Sequence, residues 1–415
     1  MESKQTLPTA LDGIRVLDLS RVLAGPWCTQ ILADLGADVV KVEKPGSGDD
    51  TRHWGPPFLK DESGQDTPHA TYFAATNRNK RSVTIDFTQP DGQALIRAMA
   101  ERADVLVENF KVGGLKAYGL DHQSLHAVNP RLIYCSITGF GQTGPHAPRA
   151  GYDLLIQASS GMMSITGRPD HEPGGGGMRV GVAITDVFTG IYASTAILAA
   201  LHVRHGTGRG QHIDMALLDV GMAVLANQAA AYLNTGIVPQ RQGNTHPSIV
   251  PYQDFPTSDG AMLLAVGNDG QFARFCDAAG RPEWATDERF SRHTPRVRNR
   301  DVLVPMIAEV TKTRSTESWV GQLGPLGVPC GPINDIAQAF ADPQVAARGL
   351  VVDQPTAPGR DVPHIRGVAS PLRLSETPPV MRNAPPSLGE HTAAVLREFG
   401  IDDARFQALR QAGIV

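Results

Sequence analysis

The chain has 415 residues, 41% hydrophobic and 19% charged, with a formal net charge of −4. That apolar share suits a packed globular protein, and the length exceeds one ordinary core, so two domains are expected. The mild negative charge gives no bulk attraction to nucleic acid or an anionic membrane, although local basic clusters can still bind an anionic ligand.

The opening residues, MESKQTLPTALDG, contain neither an apolar signal core nor an Arg-rich transit segment. Ile14–Leu19 is a buried-strand run. Gly25-Pro26 opens a helix over Pro26–Leu35, which Gly36 ends, and Asp38–Glu43 is the next strand. This βαβ unit predicts an α/β fold with a parallel sheet and right-handed crossovers. Its first turn, SRVLAGP, lacks G-x-G-x-x-G, and no G-x-x-x-x-G-K-[ST] loop occurs, so dinucleotide and ATP binding lose their support. Lys44–Thr67 reads as a loop. Arg78, Lys80 and Arg81 then crowd before the strand Ser82–Phe87. A basic turn is usually solvated, but at a strand edge it also suits a phosphate-bearing ligand.

Asp91–Arg102 is an amphipathic helix and Asp104–Glu108 a strand. Asn109 and Phe110 leave the carboxyl end of that strand, where ligand crevices of parallel sheets form. Leu132–Ile137 is a further strand, and its closing loop begins at Thr138. Gly151-Tyr152-Asp153 begins a helix, and Gly174–Gly177 is a linker or a lid. A long helix follows over Val187–His205, with Asp186 just ahead of it. Its longest apolar stretch, Ile191–Val203, is short for a membrane span. His212–Ala216 is a strand and Leu217–Thr235 is helical. Helical stretches become denser after Gly236, which marks residues 236–328 as a smaller domain set between 1–235 and 329–415. Pro329–Asn334 reads as a turn.

The four cysteines are far apart and form no C-x-x-C pair, which fits a reducing cytoplasm better than a disulfide framework. No H-E-x-x-H and no G-x-S-x-G occur, so metal and serine-hydrolase chemistry are not expected. Carboxylate chemistry remains. Asp186 has two readings. It can be an N-cap, or it can be a nucleophile at a helix N-terminus with the small residues Thr189 and Gly190 leaving room for a substrate. An Asp that attacks an acyl thioester forms a mixed anhydride and needs no prosthetic group. It needs oxyanion donors and an anion site for the carrier's phosphates.

Several long segments carry a resemblance: LDGIRVLDLSRVLAGPWCTQILADLGADVVKVEKPGSGD (11–49), NRNKRSVTIDF (77–87), ADVLVENF (103–110), TGRGQHIDMALLD (207–219) and PSLGEHTAAVLREFGI (386–401). In order along the chain they resemble the class III CoA-transferase family, which includes formyl-CoA transferase and α-methylacyl-CoA racemase. The resemblance implies a large Rossmann-like domain, a smaller inserted α+β domain and an interlocked homodimer. It implies that Asp186 takes the acyl group as an anhydride and then carries coenzyme A as a thioester. It implies CoA contacts at Lys44, Lys80, Arg81, Asn109 and Phe110, with Arg78 and Thr138 beside them. GVAITDVFTG (181–190), GNTHPSIVPYQDF (243–255), GNDGQF (267–272) and GVPCGPIND (327–335) resemble the branch that acts on succinyl-CoA and short dicarboxylates such as glutarate. Arg241 and His246 are then candidates for the distal carboxylate, with Tyr152 also on the substrate side. Racemases of the family carry His where this chain has Tyr152, a poor base with an ordinary pKa of about 10. A racemase that exchanges an α-proton, and a non-catalytic acyl-CoA-binding homologue, are the alternative readings.

Overall fold

A computed structural model describes residues 9–415. The opening residues 1–8, part of the segment read above as lacking a targeting signal, lie outside the described residues. Contacts divide the chain into two compact units. The larger holds the chain up to Met162, Arg179–Ile237 and Gln344–Val415; the smaller holds Met163–Met178 and Val238–Pro343.

In the larger unit the elements that position the site are β1 (Arg15–Asp18), α1 (Ala24–Asp34), β2 (Asp38–Glu43), β3 (Lys80–Thr84), α2 (Pro90–Arg102), β4 (Val105–Glu108), α3 (His122–Val128), β5 (Ile133–Thr138), α4 (Asp153–Ser159), α5 (Ile184–Thr207) and β6 (His212–Ala216). The six strands form one sheet in the order β3-β2-β1-β4-β5-β6, and every pair is parallel. This is the doubly wound Rossmann order. Val16, Val39, Val105, Val107 and Ile133 face one apolar layer with α1 and α5, while Leu17, Val83, Leu106 and Tyr134 face a second with α2 and α3. Strands covered on both faces read as unbroken apolar runs, which is why the sequence shows them clearly.

α5 is, among the described residues, the one helix long and apolar enough by length and composition to cross a membrane, with a mean hydropathy of 1.5. Its Ala193, Ile197 and Ala200 are buried in the first layer, and Arg204 near its end pairs with Asp104 at 2.8 Å. A Cβ on Gly190 would lie 2.7 Å from the carbonyl oxygen of Ala24 and 2.9 Å from Trp27. The glycine therefore lets α5 pack its backbone onto the start of α1. Gly→Ala inside a helix ordinarily gains about 1 kcal/mol. Here Gly190→Ala is expected to cost about 1–3 kcal/mol by overpacking. A raised denaturation midpoint would show that the close approach is absent.

The C-terminal segment covers the free edge of β3. Asn79 N–H donates to the carbonyl of Asn383, His391 N–H to that of Ser82, and Thr84 N–H to Thr392 Oγ1, while Asp86 N–H donates to Ile414 O. The edge strand is thus covered rather than left open for another chain.

The smaller unit has a three-stranded antiparallel sheet of β7 (Tyr252–Thr257), β8 (Gly260–Ala265) and β9 (Cys330–Pro332), in the order β9-β8-β7. The stretch expected as a turn at Pro329–Asn334 contains β9, which pairs Cys330 with Leu264 and Pro332 with Met262. The strand falls past the expected boundary at 328, and the unit runs to Pro343. Residues 163–178, which include the four-glycine run, also join it. Gly243 N–H bonds Gly167 O, and Arg241 holds Asp170 and the carbonyl of Ser164. The loop expected over Lys44–Thr67 contains a short hairpin, Phe58–Lys60 with Asp66–Ala70, and the helical stretch 217–235 breaks into Leu217–Ala223 and Ala226–Thr235.

Candidate active site

Open parallel sheets bind ligands outside the carboxyl ends of the strands, where strand order reverses. Here that point lies between β1 and β4. A cavity of about 830 Å³ is lined there by residues of the larger unit. Residues 21–24 follow β1, Lys44 follows β2, Ile85–Thr88 follow β3, Asn109–Val112 follow β4, and Thr138 and Gly139 close β5. Asp186 opens onto the same space.

Asp186 is the third residue of α5, inside its first turn rather than ahead of it as expected. The helix begins at Ile184, and its N-cap, Ala183, has no capping side chain. Asp153 at the start of α4 supplies the missing acceptor: its Oδ1 takes the Thr185 N–H at 2.8 Å and the Thr185 hydroxyl at 2.6 Å, while its other oxygen accepts from Gln157. Asp186 is therefore free of capping duty. Among the described residues no donor reaches its carboxylate. Burial, with Asp153 as a second negative charge, pushes its pKa up to about 7. Tyr72 is within electrostatic reach of Asp186 and Asp153, and its phenol is pushed up chiefly by burial and further by those carboxylates. A half-buried, unpartnered carboxylate at a helix N-terminus is suited to nucleophilic attack.

Two buried ion pairs brace the strands behind the cavity, and of their members only Lys41 and Asp49 line it. Lys41 and Asp49 meet at 2.9 Å, and Lys80 and Asp18 at 3.1 Å, with all four side chains fully buried. Asp49 also accepts the Val22 N–H at 3.2 Å, and Lys41 donates to the carbonyl of Ser20. Val22 sits at φ 70, a left-handed conformation that is costly for a β-branched residue and is held only where surroundings over-determine it. Asn109 fixes the same loop from the other side. Its Oδ1 accepts from Arg21 N–H at 2.9 Å and its Nδ2 donates to Arg21 O at 2.7 Å.

Lys44, Asn109, Phe110, Thr138 and Tyr152 all line the cavity with Asp186. Thr138 Oγ1 accepts from Gly141 N–H, and Tyr152 is 66% exposed, a side chain open to a ligand. The basic turn does not reach the cavity. Lys80 is buried against Asp18, Asn77 and the carbonyl of Pro26; Arg78 forks onto Asp34; Arg81 bridges Asp38 and Glu398. Their charges are committed within the protein, because Lys80 and Arg81 sit at the amino end of β3, away from the crevice. Arg241 is likewise committed to Asp170 and to the carbonyls of Ser164 and Arg168. His246 Nδ1 accepts the Ser248 N–H of its own turn, and its ring lies beside Tyr252. Both residues belong to the smaller unit. Buried Lys41 is held by Asp49, while the exposed cations that line the cavity are Arg21, Lys44, Lys111 and Arg149. Three of them escaped the sequence reading, although Lys111 adjoins a strand end that was legible.

Among the described residues no group of three or more His, Cys, Asp or Glu side chains could hold a metal ion.

Residues 11–392 match the sequence profile of CoA-transferase family III. A succinate–glutarate CoA-transferase of Agrobacterium fabrum is 52% identical over 94% of this chain and 95% of its own. The human succinyl-CoA:glutarate CoA-transferase is 43% identical over 98% of this chain and 90% of its own. Among solved structures, a CAIB/BAIF family protein from Brucella suis superposes with a TM-score of 0.82 at 50% identity, covering 94% of this chain and 99% of that one. With a profile match over residues 11–392 and a relative 52% identical over 94% of its length, the chain belongs to CoA-transferase family III.

Proposed function

We propose that the protein moves coenzyme A from succinyl-CoA to glutarate or a similar short dicarboxylate, through covalent intermediates on Asp186. The ionised carboxylate attacks the thioester carbonyl, the C–S bond breaks, and a mixed anhydride and the CoA thiolate form. The thiolate attacks the aspartyl carbonyl and expels succinate, which leaves an aspartyl thioester. The acceptor carboxylate attacks that thioester, giving a second anhydride and free thiolate. The thiolate then attacks the acceptor's acyl carbon and regenerates Asp186. The observation that carries this reading is the unpartnered Asp186 carboxylate opening onto a cavity lined by four exposed cations. The names of the Agrobacterium and human relatives support the choice of donor and acceptor.

Intact-protein mass spectrometry after mixing with succinyl-CoA is expected to show an adduct that maps to Asp186 and is discharged by glutarate as its CoA thioester. No adduct together with no CoA exchange to any acid of a dicarboxylate panel would overturn the assignment. Lys44 and Lys111 are read as phosphate contacts. Lys44→Ala and Lys111→Ala are each expected to raise KM for succinyl-CoA about tenfold, the loss of one charged hydrogen bond, and to flatten its salt dependence. Unchanged KM values would return both lysines to the solvated surface.

The protein is also read as a cytoplasmic homodimer. Ile191, Tyr192, Leu198 and Val203 of α5 are exposed apolar residues, and so are Tyr232 and Leu233 of the Ala226–Thr235 helix. Such surface usually marks a contact face. A mass of one chain in sedimentation equilibrium would refute the dimer.

A further inference from the structure

Glu108 ends β4 directly below the Asn109–Phe110 turn and is only 6% exposed. Its Oε2 accepts the Phe110 N–H at 2.7 Å. Its register partner on β5 is Ser136, whose hydroxyl is near enough to favour the ionised carboxyl. Ser136 Oγ lies 3.0 Å from Nε2 of His212 on β6, and the His212 ring stacks on His122 of α3 at 4.0 Å, with 2° between the planes. Phe110 lines the cavity, with Phe87 edge-on at 5.7 Å and the Arg21 guanidinium 5.4 Å from its centroid. Neither the nucleophile nor the cavity cations explain this buried carboxyl.

We infer that Glu108 is a positioning residue of the acyl-CoA cavity: its carboxyl holds the Asn109–Phe110 turn, and its proton sets the direction of the hydrogen-bond chain through Ser136 to His212. The inference rests on the reading of this cavity as the acyl-CoA site.

The Ser136 hydroxyl has one proton for two neighbours. When Glu108 is ionised, Ser136 donates to it and accepts from an Nε2–H of His212. When Glu108 is protonated, it donates to Ser136, which donates in turn to an unprotonated Nε2. The His212 proton then resides on Nδ1, relocated by exchange with water. The surroundings make both states accessible. Burial raises Glu108 to about 7, against the hydrogen bonds from Ser136 and Phe110. On β5, Tyr134 faces it and Cys135 lies within electrostatic reach from the other face, both kept neutral by burial. On β6, burial and His122 lower His212 to about 4, against the carboxylate of Asp214. On α3, His122 and His126 complete the set, with Asp121 at its cap. A proton on Glu108 removes a negative charge beneath a cavity that receives a polyanion, so acyl-CoA binding draws that proton in.

The test uses the full-length protein. Between pH 6 and 8, KM for succinyl-CoA is expected to rise about two- to fivefold more in the wild type than in Glu108→Gln, the scale of one unit charge at short range. Glu108→Ala, which removes the acceptor for the Phe110 N–H, is expected to raise KM for succinyl-CoA and not KM for glutarate. Histidine-selective ¹⁵N NMR needs no turnover, and reads the His212 tautomer directly. It is expected to shift between Nδ1–H and Nε2–H over that pH range in the wild type and to stay fixed in Glu108→Gln. Parallel pH profiles of KM in wild type and Glu108→Gln, or an unmoving His212 tautomer in the wild type, would overturn the inference. A wild type that exchanges no CoA while the tautomer still switches would instead count against the transferase reading.

Discussion

Asp186→Ala is expected to lower CoA exchange by at least about 10³-fold, as loss of a nucleophile does, without unfolding the protein. Capping of α5 depends on Asp153 and Thr185, not on Asp186, so the helix keeps its start. The pH dependence gives a second, independent reading. Attack requires the ionised form, and burial with the neighbouring Asp153 raises Asp186 to about 7. The Asp186 contribution to kcat/KM should therefore rise with pH and level off above about 7. Stability moves the other way. The unfolded chain releases this proton near pH 4, while the folded protein keeps it to about pH 7. Across that window the folded state binds more protons, so stability from this group falls as pH rises. Asp186→Asn removes the penalty. It is expected to raise Tm at pH 8 and to have little effect at pH 4, measured by thermal unfolding at both. An equal shift at both values would mean that Asp186 has an ordinary pKa, and an active alanine variant would remove it from the mechanism.

Lys80→Met is the second large effect, and it separates two roles for one residue. As a phosphate ligand, Lys80 would matter to KM alone. As a buried partner of Asp18 it matters to the fold. Removing one member of a buried ion pair leaves the other charge uncompensated and typically costs about 3–5 kcal/mol. Lys41 also lies near Asp18 and offsets part of that charge, so the lower end of the range is expected. Urea denaturation should show the loss, while the KM for succinyl-CoA of the folded fraction stays close to that of the wild type. A stable variant with a strongly raised KM would place Lys80 on the ligand instead.

The strands were legible because a parallel sheet covered on both faces writes each strand as an apolar run. Asp38–Glu43 and His212–Ala216 match their expected bounds to the residue. Asp186 was legible as a residue of interest but misplaced by a turn. Its helix is capped through Thr185 by Asp153, 32 positions earlier, and no local window shows that contact. The partners of the basic turn were hidden for a related reason. A sequence displays the density of Arg78, Lys80 and Arg81, but their partners Asp34, Asp18, Asp38 and Glu398 are distant along the chain. β9 escaped because Cys-Gly-Pro has turn chemistry, and only its pairing with β8 makes it a strand. Glu108 gave no signal, since an acid ending an apolar strand looks like an ordinary exit to solvent.

The cover on the β3 edge also has a consequence during translation. Residues 80–84 leave the ribosome some 300 residues before Thr392, which at about 5–20 residues per second is roughly 15–60 s. Throughout that interval the nascent sheet carries an open edge that only the chain's last segment can cover. Each new molecule therefore passes through a period in which neighbouring chains on a polysome can pair with that edge.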